Sequence, residues 1–155
     1  MADLTCVYTL TTPGPDISFN NGDLYTTTDL YWIQTLQGLD GSPIRTPIDN
    51  APQTHGGLVH GFWKGPRHVQ FEGAILIQSV AIGGDCRAAM NVMEENLRQA
   101  LDSIIRADGT LAWTPVGMSA RSLTVRNDVP LDIQPAENYA IRTFTFGLVA
   151  ADESW

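Results

Sequence analysis

Lysine and arginine are scarce in this chain. It has 9 of them against 17 aspartates and glutamates, giving a formal net charge of −8 and a pI near 4.6. That balance excludes the basic footprint with which proteins hold nucleic acid by its phosphates. The deficit is steepest between Met1 and His60, where Asp3, Asp16, Asp23, Asp29, Asp40 and Asp49 stand against Arg45 alone. Charge of either sign is low, at 17% of the residues; serine, threonine, asparagine, glycine and proline take its place, as in strands joined by turns. There are two cysteines, Cys6 and Cys86, in or beside apolar pattern. Reduced, packed thiols in a cytosolic product fit them better than a bridge. No apolar run reaches the roughly 18 residues of a membrane-spanning helix. Met-Ala-Asp-Leu-Thr at the start lacks the basic lead and apolar core of a signal peptide. Repeats and low-complexity tracts are absent too.

The usual catalytic arrangements are also missing. His55, His60 and His68 fit no close-paired zinc spacing. The glycine-rich stretch lacks the Gly-Lys-Ser/Thr ending of a phosphate cradle, and Gly56-Gly57 opens no helix. There is no Gly-x-Ser-x-Gly elbow. Glu94 and Glu95 are adjacent on a helical pattern, so they do not face each other and read as a solvated face. Asp40, Asp49 and Glu72 have no implied partner. No catalytic, metal or cofactor-binding residue is therefore expected. Trp32, Trp63, Trp113 and Trp155 are spread over separate strands and ends, which favours burial over a sugar-stacking platform.

What is present begins with one amphipathic stretch, Asp85 to Ile105. Met90, Met93, Leu97, Leu101 and Ile104 recur at three- and four-residue steps, on one stripe of a 3.6-period helix. Ala89 and Ala100 widen the stripe. Asp85 is placed to cap the first turn, and Ala107-Asp108-Gly109 to stop the last. At 155 residues and 43% hydrophobic content, the chain reads as one domain over 1–155 with a real core.

The rest reads as short strands. Leu4, Cys6, Tyr8 and Leu10 alternate, and a turn follows at 12–16. Asp16–Phe19 is a short strand, with a hairpin turn expected at Asn20-Asn21-Gly22-Asp23. Leu30–Leu36 is a strand. Arg67–Ile77 is the clearest, with Val69, Phe71, Ile75 and Ile77 inward and His68, Gln70 and Glu72 outward. Gly73 within it signals a bulge or a close backbone approach, and Ser79–Ile82 reads as its extension. Thr110–Thr114 and Ala120–Arg126 follow, then a loop at Pro130–Pro135, then Tyr139–Ala150 with Phe144, Phe146 and Leu148 on one face. Between Gln37 and Gly65 glycine and proline break the pattern, yet Ile44, Ile48, Leu58, Val59, Phe62 and Trp63 are scattered through it. That is too much apolar matter for a linker, and it reads as a projecting loop or hairpin arm that is ordered against a partner.

Three segments resemble the hub domain of the distal tail proteins of long-tailed, siphovirus-like phages. The first runs from Gly38-Leu39-Asp40-Gly41 through Gly56-Gly57 to Gly65-Pro66-Arg67-His68-Val69-Gln70-Phe71-Glu72-Gly73. The second follows the helix, as Asp108-Gly109-Thr110-Leu111-Ala112-Trp113 and then Arg121-Ser122-Leu123-Thr124-Val125-Arg126. The third is the closing strand, Phe144-Thr145-Phe146-Gly147-Leu148-Val149-Ala150-Ala151-Asp152. Glu153 stands where relatives often carry proline, and Trp155 takes the place of a following aromatic.

The resemblance implies a mainly β, tail-tube-like sandwich or barrel with one flanking helix. It implies a homo-oligomeric ring, hexameric in the family, at the tail tip of a virion, assembled in the host cytoplasm and joining the tail tube to the tip and hub proteins. In that setting Ile44, Ile48, Leu58, Phe62 and Trp63 are the expected subunit interface. Asp40 and Asp49 are expected to face a lumen that DNA passes, with no sequence-specific nucleic-acid binding, no membrane, no cofactor and no enzymatic activity. The alternatives are a tail tube or tube-terminator subunit, and a carbohydrate-binding β-sandwich using Trp63 and Trp113.

Overall fold

Buried and exposed residues alternate from Arg67 to Gly73, and Ala74 and Ile75 are both buried, in the strand on which the molecule is laid out. The computed structural model describes residues 6–39, 44–45, 48–50, 57–59, 63–64, 66–81, 84–135 and 140–150. In chain order the elements are β1 (Tyr8–Thr11), β2 (Ile17–Phe19), β3 (Leu30–Gln37), β4 (Ile44–Arg45), β5 (Ile48–Asn50), β6 (Gly57–Val59), β7 (Trp63–Lys64) and β8 (Arg67–Leu76). They continue with α1 (Arg87–Ser103), β9 (Gly109–Trp113), β10 (Arg121–Pro135) and β11 (Ile141–Ala150). The protein is mainly β, as expected, and of the two β architectures it takes the barrel. The sheet closes in the order β1-β2-β3-β8-β11-β10-β9, with β9 returning to β1. All neighbours are antiparallel except β2 and β3.

The inward residues meet as an aromatic cluster. Phe71 and Phe146 are register partners on β8 and β11, and their rings stack with centroids 4.7 Å apart. Phe19 lies within 5.5–6.1 Å of Phe71, Phe144 and Phe146. All four are fully buried, and each such side chain contributes about 1.5–3 kcal/mol by leaving water. Gly73 makes the close approach that the sequence signals: a Cβ there would run into the Trp32 carbonyl oxygen and the Phe144 ring. The irregularity lies on the facing strand, between Ile33 and Thr35.

Helix α1 packs against β2, β8 and β10. Met90, Leu97, Ala100, Leu101 and, just past its end, Ile104 are buried. The helix is shorter than expected by two residues at each end. Cys86, not Asp85, takes the N-cap position, without a side-chain cap bond. Asp85 accepts instead from the Arg87 amide at 3.0 Å and from its guanidinium, and those bonds hold its carboxyl below the usual carboxylate range. Glu94 departs from the expected solvated face. It pairs with Arg98 at 3.0 Å and reaches Arg142 on β11, mooring the helix to the barrel.

Three loop expectations fail for identifiable reasons. Asn20-Asn21-Gly22-Asp23 is no hairpin turn, because β2 pairs with β3 in parallel. Asn20 turns the chain out of the sheet at φ 58. Its Oδ1 accepts the Ile33 amide at 2.8 Å, in the place where a continuing strand would offer a carbonyl. Pro130–Pro135 is strand, not loop. Beyond Val125, β10 pairs with β11 alone, and its register slips at Asn127/Val129 and Val129/Asp132. A one-sided, irregular strand tolerates proline, which has no amide to donate. Ser79 does not extend β8: Asp29 takes the amides of Gln78 and Ser79 at 2.8 and 2.9 Å and turns the chain away. Ile82, Gly83, Tyr139 and Leu4 lie outside the described residues.

Candidate functional site: the segment between β3 and β8 and its root

The stretch that breaks the sequence pattern forms two short antiparallel ladders. β4 pairs with β7, setting Ile44 opposite Lys64 and Arg45 opposite Trp63. β5 pairs with β6, setting Ile48 opposite Val59, Asp49 opposite Leu58 and Asn50 opposite Gly57. The pairing is nested, as in one long hairpin, and both ladders are separate from the barrel sheet. Of the expected interface residues, Ile44, Ile48, Leu58 and Trp63 sit on these strands, while Phe62 lies outside the described residues. Of the expected lumen residues, Asp49 is on β5 and Asp40 lies outside the described residues.

The hairpin springs from one end of the barrel. The registers bring the end of β3, the start of β8, the end of β11 and the β9–β10 turn to that same end. The turn exposes Val116 (82%) and Met118 (57%) there. At the hairpin's base, Gly38 has φ 84 and lies so close to β8 that a Cβ would run into the His68 carbonyl. The next residue, Leu39, is buried, and its carbonyl accepts from Nη1 of Arg67 at 3.1 Å. Arg67 itself is only 2% exposed.

Arg67 and Gly38 are the site residues that sequence reasoning did not single out for a role. A signal existed, since Arg67 has the same parity in β8 as inward-facing Val69 and Phe71. Glu72 is exposed beside Thr35, Gln37 and Gln70 on the outer face of β3 and β8. His68 is exposed and meets Asp128 at 2.9 Å. His55 and His60 lie outside the described residues. Among the described residues, no group of three or more His, Cys, Asp or Glu side chains is placed to hold a metal. Trp113 is 5% exposed and packs its ring on Tyr8, so it presents no face to a sugar. The barrel also limits which sheet edges are open. Among the described strands, β10 beyond Val125 has a ladder partner on one side only, as does the shorter stretch of β3 beyond Tyr31.

Compared with solved structures, the chain matches the crystal structure of SPP1 Dit (gp 19.1), a paradigm of the hub adsorption apparatus in Gram-positive infecting phages. The TM-score is 0.55 at 14% sequence identity, over 94% of this chain and 50% of that one. The fold is that of Dit. The likeness takes in the closed barrel with its one helix. The chain spans about half the length of the Dit protein it matches, the 50% covered. No family model and no curated protein matches the chain.

Proposed function

We propose that this chain is a structural subunit of a phage tail tip. Copies of it close into a ring, six in number, that joins the tail tube to the tip and hub proteins. The observation that carries this reading is the Dit fold extending over 94% of the chain. The hairpin between β3 and β8 supports it. Its strands pair with one another and not with the barrel, and its sequence holds Ile44, Ile48, Leu58, Phe62 and Trp63, apolar residues that a neighbouring subunit would cover. Such contacts are heterologous, and repeating them by a fixed rotation closes a ring. The subunit's work is mechanical, with no enzymatic step, no cofactor and no membrane. Asp40 and Asp49 would face the channel, where negative charge keeps passing DNA from sticking.

A tube or tube-terminator subunit would share fold and ring, and would differ in stacking into tubes. A carbohydrate-binding role loses one of its two indoles, because Trp113 is buried. Negative-stain imaging with mass photometry of the purified protein tests the proposal. Closed rings of one mass are the expected result. A monomer at high concentration would reject it, and stacked tubes would favour the tube subunit.

A further inference from the structure

We propose that Gly38, Leu39 and Arg67 form a clasp that fixes the angle at which the hairpin leaves the barrel, and that this angle decides whether copies close into a ring. The second half rests on the ring reading above; the first half stands on geometry alone. Both strands that flank the hairpin are gripped at its base. On the outgoing side, Gly38 adopts φ 84 and lies against the His68 carbonyl. Glycine is required there twice over, for the positive φ and for the missing Cβ. On the returning side, the Arg67 guanidinium turns inward and bonds the Leu39 carbonyl at 3.1 Å. That bond ties the last described residue before the hairpin to the first residue of β8.

The choice of arginine is informative. Taking a guanidinium out of water is costly, and an apolar residue of similar size would fill the space without that cost. What the apolar residue lacks is a charged donor for a backbone carbonyl, and such bonds are stronger than neutral ones. The buried charge therefore contributes position more than packing. Position matters at a root, because a small swing there is magnified at the tip. In a head-to-tail ring the same rotation must recur at every contact, and an error in it yields open or mixed assemblies instead of closure.

Arg67→Lys and Arg67→Met test the clasp in the full chain. Arg45 and Lys64 lie within the hairpin and are trypsin sites, so cleavage there reads hairpin fixation without reference to assembly. Both variants should keep one cooperative melt and be cut in the hairpin at least tenfold faster than the parent. Mass photometry should show open or mixed oligomers in place of the closed ring. Unchanged cleavage together with an unchanged ring would overturn the proposal. Faster cleavage with an intact ring would overturn its second half. Should both variants fail to fold, NMR of the parent's Arg67 decides. A clasped guanidinium shows separate, slowly rotating Nη signals, and the averaged signals of a surface arginine would reject the clasp. A parent that is monomeric would remove the ring reading, while cleavage and NMR would still judge the clasp.

Discussion

Tyr31 stands half-buried where the barrel meets the helix. Its hydroxyl donates to the Met93 carbonyl at 2.7 Å, and burial pushes its pKa up to about 12, from an ordinary value of about 10. The fold thus favours the protonated phenol. The stability linked to this group is fully present below the unfolded pKa, and is lost as pH rises from there through the folded value near 12. Tyr31→Phe should cost about 0.5–1.5 kcal/mol at neutral pH, the worth of a typical hydrogen bond. It should also flatten the alkaline fall in stability. Urea unfolding of both proteins from pH 7 upward checks this, and equal alkaline slopes would clear Tyr31 as the cause. Sequence could place Tyr31 on a strand, but not against a helix 62 residues away, because periodicity reports a side chain's face and not its partner. Arg67 shows the same limit from the other side. Strand parity pointed it inward, and its residue type argued that it should face water; the Leu39 carbonyl that resolves the conflict lies across a connection of 28 positions.

Leu97, at the centre of α1, is fully buried among the residues of the core. An aspartate there would be an unpaired buried charge, which costs several kcal/mol. Leu97→Asp should therefore unfold the protein or leave it without a cooperative melt by circular dichroism. A soluble variant with a sharp transition would contradict the helix's packing. Helix α1 and strands β8 and β11 were legible because each has a long, regular period that sets a largely apolar face against a polar one. The parallel pairing of β2 with β3 was not, since the choice of partner is a long-range matter and Asn20 makes its contact through a side chain. The reach of β10 through Pro130 was hidden for a different reason. Proline argues against a strand only where its missing amide would have faced a neighbouring strand, and this half of β10 has a neighbour on one side alone. The ladders between β3 and β8 are two and three residues per strand, too short for alternation to register among the glycines and prolines.

At the scale of the molecule, the described ladders of the hairpin form sheets separate from the barrel. The barrel closes on itself through β9 and β1, so its stability rests on its own core. The described strands of the hairpin pair with one another alone. Folding should then tolerate removal of the hairpin. Its ends are already held together, since Gln37 pairs with Gln70 and the Leu39 carbonyl bonds Arg67. A short Gly/Ser linker in place of Asp40–Gly65 has little distance to span, and loop-closure entropy changes only slowly with length. The shortened protein should melt cooperatively, within a few degrees of the parent. If the parent forms the proposed closed ring, the shortened protein should lack it and run as a monomer or a loose mixture in mass photometry. The two readouts separate two claims. A collapse of the melt would mean that the hairpin is part of the folding unit, against the independence of the ladders. A cooperative melt with the same closed ring would move assembly to other surfaces. The one-sided half of β10 would be the first to examine, because it offers backbone groups to a neighbour's strand. A cooperative melt with the ring gone would place folding in the barrel and assembly in the hairpin.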